Sequence, residues 1–434
     1  MTPLRRKVSG LAQTSRHAQR HAGRMTMADR DPPLPATLRR LPGARDFALL
    51  AGLDAAVRGM LISAMPLSVY AAMGSAERTS QVYLIAGIIA LFVGLMVPAL
   101  TRVLPRRWTY TLGCALYVSG MALAIHGSPL AIGIALTLNA IATVTIFVCF
   151  NAYVLDYIER ADLSRTQSTQ MVYAATPWAV GPIAGVWLRQ LWEPLPFVIA
   201  GGFALCLLVT FWWLRLGNGK TITRAKGPAL NPLGYLGPFL RQPRLVAGWM
   251  FAVMRSCGWW VYVVYLPIFC IEAGLGDTLG GIALSLTNAL LFAAPVVSKW
   301  ARRASVRRTV RVAFAGGAVL FTLAALISPV PWASVIAIMC ASGFLITLDV
   351  VGGLPFMMAV KPSQRTEMAA VYASFRDVSG IVTPGVAYMV LLVAPLPGIF
   401  AAAGAGFAVM YLIAGRLHPR LGVQRPSAGR RVRA

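Results

Sequence analysis

The feature that most constrains this chain is a succession of apolar runs, each about 20 residues long and nearly free of charge. A helix rises about 1.5 Å per residue, so such a run matches the roughly 30 Å hydrocarbon thickness of a bilayer. Twelve runs can be read, at about 46–72, 81–101, 108–126, 130–157, 170–189, 195–215, 246–271, 279–298, 311–329, 333–360, 370–394 and 396–415. In hydrocarbon every backbone amide needs an internal partner, and a run of this length meets that need as a helix. The predicted fold class is an all-α membrane protein. Several turns are short, such as "GSP" at 127–129 and "PVP" at 329–331, and an even number of spans returns both ends to one side. The composition agrees: 57% of residues are hydrophobic and 12% are charged, against about 25% charged in soluble domains.

A net charge of +26 raises the question of nucleic acid, but the charge sits at the two ends and in short patches between apolar runs. That is the footprint of membrane topology. Of the 40 Lys and Arg residues, one set of alternate loops holds only Arg78 and Arg189, and three, Arg58, Arg255 and Arg376, fall inside spans. The rest lie on the side of the two termini. The expectation is a multi-pass inner-membrane protein with both termini cytoplasmic, whose macromolecular surroundings are the lipid bilayer and not nucleic acid.

Residues 1–45 are basic and lack the apolar core and cleavage site of a secretory signal. They are expected to form a disordered tail, with Met25 and Met27 as alternative starts. Residues 417–434 form a second basic tail. The six cysteines, Cys114, Cys149, Cys206, Cys257, Cys270 and Cys340, all stand in apolar stretches with no C-x-x-C pair, and read as small buried hydrophobes. The four histidines are not grouped with acids or cysteines, so no metal site is expected.

The second half echoes the first. "AGLDAAV" (51–57) matches "AGWMFAV" (247–253) at a separation of 196, each closely followed by an arginine. "VPALTRV" (97–103) matches "APVVSKW" (294–300) at 197, and "VGPIAG" (180–185) answers "VTPGVA" (382–387) at 202. The halves, 46–215 and 245–416, therefore run in parallel as two six-helix bundles around a Gly/Pro-rich basic linker, 216–244. Parallel repeats of six spans with a site at their interface form a transporter architecture.

On these features the chain resembles the major facilitator superfamily over about 46–416. The family's loop after the second helix reads G-x-x-x-D-R-x-G-R-R, and "PALTRVLPRR" (98–107) keeps Arg106 and Arg107 but has Arg102 at the acid position. The corresponding loop of the second half, "PVVSKWARRASVRR", carries Lys299 where an acid would stand. In the family that acid helps latch the halves. Asp156, Glu159 and Asp162 at the end of the fourth helix are candidate substitutes, or simply helix-end acids, with Arg165 beside them. "PWAVGPIAG" (177–185) resembles a Gly-Pro motif of the family's exporters. Gly181 and Gly185 allow close approach and Pro182 bends the helix, and ordinary small-residue packing would look the same.

The charges well within spans are Asp54, Arg58, Arg255, Asp349, Arg376 and Asp377. Each costs roughly 2.5–3.5 kcal/mol at a bilayer centre, so each points to a pathway or a site. They come from the first, seventh, tenth and eleventh helices, and the resemblance implies a central cavity lined by the first, fourth, seventh and tenth. Asp54 and Arg58 share one helix face at i, i+4. Either they form a static pair fixing helix register, or Asp54 carries a proton and a substrate competing for Arg58 couples to it. Asp349 is a second proton-coupling candidate. Arg255 has no acid within a turn, so its partner is either an anionic group of a substrate or Asp349 across the halves. Arg376 and Asp377 are adjacent and face different ways, and are read as gating residues with Arg102, Asp156, Glu159, Arg165, Gly181, Pro182, Gly185 and Lys299. Trp259, Trp260 and Tyr262 in "WWVYVVYLP" could stack on a flat substrate or belong to packing. Asn139, Asn151 and Asn288 could line the pathway or bond between helices.

"LGNGKT" (216–221) is not a phosphate loop: G-x-x-x-x-G-K-S/T would need glycine where Leu214 stands. No nucleotide partner, no cofactor and no clustered nucleophile, base or metal set is expected, so the chain is not read as an enzyme. The resemblance implies a monomeric secondary transporter with a small-molecule substrate and protons as partners. Proton-coupled export is the first reading. Uptake or facilitated movement of a small organic anion is the alternative, as is a non-transporting receptor or assembly factor on the same fold.

Overall fold

The computed structural model describes residues 42–159, 162–214, 236–290, 305–360, 368 and 371–417. Residues 1–41 and 418–434 of the expected tails and most of the linker, together with Lys299, lie outside the described residues, and the first helix begins at Ala44, inside the stretch expected to be tail. All regular structure within them is helical. The first half comprises α1 (Ala44–Met73), α2 (Ala76–Val103), α3 (Arg106–His126), α4 (Pro129–Tyr157), α5 (Leu163–Leu191) and α6 (Leu195–Trp213). The second comprises α7 (Pro243–Glu272), α8 (Thr278–Leu290), α9 (Val306–Leu326), α10 (Pro331–Val351), α11 (Phe375–Leu391) and α12 (Pro397–Ala414). Ten of these segments are long and apolar enough to cross a bilayer. The other two are α8, with 13 residues ending at Leu290, the last described residue before 305, and α11 with 17 residues.

Local chemistry sets the ends. Ser75, Ser128 and Ser305 accept from the backbone N–H three residues on, capping α2, α4 and α9. The tight turn after α3 needs a left-handed residue, and Gly127 supplies it at φ 77°. α7 is continuous but passes through a π-turn at Val261–Tyr265, just before Pro267. α11 begins later than its hydropathy predicts, because the chain breaks at Ser374. The Ser374 hydroxyl donates to Val371 O and accepts from Trp249 Nε1, competing with the helical ladder.

Each half has its own aromatic core. Tyr110 stacks on Phe211 at 4.1 Å between α3 and α6, and Phe314 and Phe321 meet Phe407 between α9 and α12. The cysteine expectation needs correction: Cys206 and Cys340 are exposed on their helices while the other four are buried. An apolar stretch in a membrane helix can face lipid as well as protein, so hydropathy does not separate the two.

The halves meet along two seams, α2 with α11 and α5 with α8. A Cβ on Gly87 would lie 2.7 Å from Gly380 O, and one on Gly281 would lie 3.1 Å from Pro182 O, so both seams are backbone-close. We call the side where α1 and α7 begin the terminal face and the opposite side the far face. Polar contacts between the halves gather toward the far face. Tyr70 donates to Glu272 at 3.1 Å, Ser80 and Tyr265 share a 2.9 Å hydrogen bond, Gln190 donates to Asp277 at 2.9 Å, and Arg189 lies 3.5 Å from Asp277.

Candidate functional site

α1 is held against α5 by three glycines. A Cβ on Gly59 would lie 2.5 Å from Pro177 O, one on Gly181 would lie 2.5 Å from the Gly59 carbonyl carbon, and one on Gly185 would lie 2.5 Å from Met60 O. This crossing fixes the middle of α1, where Asp54 and Arg58 stand. Their i, i+4 spacing produces the expected pair, with Arg58 Nη1 3.3 Å from Asp54 Oδ2. Tyr117 of α3 donates to the other carboxylate oxygen at 3.2 Å, and its hydroxyl lies 2.9 Å from Thr143 of α4. Sequence reasoning missed Tyr117. Its only signal is a tyrosine hydroxyl within an apolar run, which needs a partner when buried. The Arg58 guanidinium lies over the Trp178 ring at 5.3 Å.

The second half builds another pair. Arg255 Nε lies 3.1 Å from Asp349 Oδ1, and Trp259 Nε1 donates to Asp349 Oδ2 at 2.9 Å. The pair does not cross the halves as expected, because α7 and α10 both belong to the second bundle. Phe375 covers the guanidinium at 5.1 Å.

Two cavities meet at Arg58. A central cavity of about 400 Å³ is bordered by Arg58, Asn139, Trp178, Trp259, Trp260, Arg376 and Asp377 among others. Its walls come from α1, α2, α4, α5, α7 and α11. Among the described residues no α10 residue borders this cavity, while α2, α5 and α11 do, and Trp259, which donates to Asp349, stands in its wall. Arg255 and Asp349 are therefore behind the wall and not in it. A second cavity of about 470 Å³, toward the terminal face, is bordered by Asp54, Arg58, Asn151, Gln167, Gln170 and Trp178. Arg58 and Trp178 border both cavities, whereas Asp54 borders only the second.

The remaining sequence candidates divide between helix packing, the surface and the cavity walls. Tyr262 is fully buried, 2.6 Å from Thr287 and donating to Ala283 O at 3.0 Å, so it packs α7 on α8 and lies outside the cavity wall. Asn151 donates to Phe147 O on its own helix. Asn288 donates to Trp178 O across the halves at 2.8 Å. Asp156 pairs with Arg106 within the first half, with Arg106 over Tyr153, so in this state it joins α3 to α4 and not the two bundles. Arg102, Glu159 and Arg165 are exposed. Arg376 and Asp377, read from sequence as gating residues, stand in the central wall.

The profile of the Major Facilitator Superfamily matches residues 47–384. The chain belongs to this superfamily. It is a multi-pass membrane transporter and not an enzyme. Among solved structures, the nucleoside transporter NupG is similar at a TM-score of 0.67 and 13% identity, covering 87% of this chain and 100% of the other. A D-xylose-proton symporter is similar at 0.64 and 13%, covering 87% and 97%. A POT family transporter in complex with a thioalcohol-conjugated peptide is similar at 0.69 and 10%, covering 85% and 95%. At such identities the likeness establishes the fold alone. No curated protein matches the chain.

Proposed function

We propose that this superfamily member is a proton-coupled transporter of a small organic solute, working by alternating access in the inner membrane with both termini cytoplasmic. The central cavity takes the solute, and Asp54 takes the proton. One observation carries this reading: Arg58 touches both cavities while Asp54 touches only the terminal-side one. A solute group that draws Arg58 toward the central cavity leaves Asp54 without its counter-charge. An uncompensated carboxylate inside a membrane is expensive, and a proton neutralises it. The tight far-face contacts fit a state closed on that side.

This geometry gives solute and proton the same sign of linkage, because each favours binding of the other. It supports co-transport, which a proton gradient would drive inward. Export by exchange needs solute and proton to compete for one group, and Asp54 is not in the solute wall. Export retains one support, the exporter-like "PWAVGPIAG" segment, whose Gly181, Pro182 and Gly185 also serve the α1–α5 crossing.

The test uses proteoliposomes loaded with a pH-sensitive dye and solutes taken from a thermal-shift screen of metabolites. Co-transport acidifies the lumen when solute is added outside, and exchange against preloaded solute leaves the lumen pH unchanged. Asp54→Asn is expected to abolish the acidification and spare the exchange. Unchanged acidification in Asp54→Asn overturns the role of Asp54.

A further inference from the structure

Arg58, Arg255 and Arg376 are the arginines that the sequence places inside apolar runs, and their partners differ. Arg58 is paired with Asp54 and Arg255 with Asp349. Arg376 forms no ion pair among the described residues, and its guanidinium lies beside ring faces, 5.3 Å from Phe147 and 5.6 Å from Phe375. Asp377, the next residue, also forms no ion pair among the described residues. Both border the central cavity.

Adjacent residues on a helix point about 100° apart, and these two side chains form no direct ion pair with each other. Charges inside a membrane persist where a partner stands or arrives. The helix dipole accounts for only one of them. Asp377 in the first turn of α11 gains from the N-terminal partial charge, but the same field disfavours Arg376 beside it. A wall that presents one cation and one anion, neither held in an ion pair among the described residues, fits a partner bearing both charges. The rest of the wall is mainly apolar and aromatic, with Trp178, Trp259, Trp260 and Tyr83, and the volume lies in the range of small-molecule sites.

We infer that the solute is a small zwitterion, with a carboxylate seated on Arg376, an ammonium on Asp377 and an apolar or aromatic body against Trp259 and Trp260. This rests on the central cavity being the solute site. It also serves the proton linkage, since Arg58 borders the same cavity from the other half.

The probes share one phenyl body. L-Phenylalanine carries both charges, 3-phenylpropanoate only the anion and phenethylamine only the cation. Binding to the purified full chain is read by thermal shift and by tryptophan fluorescence at neutral pH. Phenylalanine is expected to bind at least tenfold more tightly than either analogue. Arg376→Gln should erase its advantage over phenethylamine, and Asp377→Asn its advantage over phenylpropanoate. Arg376→Lys should retain part of the preference, and thermal unfolding of each variant without ligand checks that it folds. Either single-charge analogue binding as tightly as phenylalanine overturns the inference. Absence of binding by phenylalanine, alanine and tryptophan alike also overturns it.

A solute-free measurement separates this from the transport reading. Ile62, which borders the cavity, is replaced by cysteine after the exposed Cys206 and Cys340 are changed to serine. An impermeant maleimide is then applied from each face in turn. Labelling from both faces, together with failure of phenylalanine, alanine and tryptophan to bind in the preceding test, leaves transport standing and sinks the zwitterion. Labelling from one face only sinks alternating access itself.

Discussion

Asn288 of α8 donates through Nδ2 to the carbonyl oxygen of Trp178 on α5 at 2.8 Å, joining the two halves. The cause lies four residues on. Pro182 has no N–H, so the Trp178 carbonyl lacks its helical partner. One turn back along α8, Ser285 accepts from the N–H of Ile183 at 2.9 Å. Two polar residues at i, i+3 thus clamp the backbone that the proline opens, directly above the Trp178 ring that covers Arg58.

Replacing Asn288 by Leu should leave that carbonyl unsatisfied, at a cost of about 1–3 kcal/mol. The loss should appear as a lower melting temperature and as greater labelling of the cavity from the far face. Pro182→Ala returns an N–H to the ladder, so Asn288→Leu should cost less in that background, with a coupling of about 1 kcal/mol. Equal costs in both backgrounds would show that the proline is not the reason for the contact.

The α1–α5 crossing sets a second expectation. A Cβ on Gly59 meets backbone at 2.5 Å, whereas one on Gly202 of α6 meets nothing within 4 Å. Gly59→Ala should push the helices apart and lose about 1–3 kcal/mol of stability. Gly202→Ala should be neutral or slightly stabilising, because alanine favours the helix by up to about 1 kcal/mol. Thermal unfolding of the two variants in detergent checks the contrast, and a neutral Gly59→Ala would refute the close crossing.

Much of this was legible in the sequence. The apolar runs give the helices, the repeat gives the two bundles, and the i, i+4 spacing gives the Asp54–Arg58 pair. What was not legible depends on which face of a helix turns inward. Hydropathy is high on both faces of a buried membrane helix, so it could not place Tyr262 in the packing or Cys206 on the outside. The sequence offered Asp349 as a partner for Arg255 but neither the Trp259 contact to that carboxylate nor Tyr117 for Asp54, since these hydrogen bonds join residues 63 or more positions apart. The break at Ser374 was hidden because a serine hydroxyl, not a change in hydropathy, ends the helix.

Tyr117 offers a third prediction. Its hydroxyl donates to Asp54 Oδ1, while Arg58 holds Oδ2. Tyr117→Phe keeps the ring and the Arg58 contact and removes one hydrogen bond to a charged group, worth about 1.5–3 kcal/mol. Gradient-driven flux should fall about tenfold or more, as the energy–rate conversion of 1.4 kcal/mol per decade implies, while solute exchange persists. Equal loss of both activities would assign Tyr117 to packing and not to the proton site.

The Arg255–Asp349 pair yields the last expectation, and its sign depends on which partner is removed. Arg255→Met alone strands a carboxylate that keeps only the Trp259 N–H, and Asp349→Leu alone strands a guanidinium under Phe375. Breaking a fully buried pair from one side costs about 3–5 kcal/mol. Here 34% of the Asp349 side chain remains exposed, so about 1–3 kcal/mol is the appropriate figure after screening. The double variant removes both charges and fills similar volume, so it should recover most of the loss and unfold near the wild-type temperature. Because the pair stands behind Trp259, the double variant should also retain solute binding in the central cavity. A double variant that folds and binds normally shows that solute binding does not use the pair, whereas one that folds but loses all binding would make Arg255 or Asp349 necessary to the solute site.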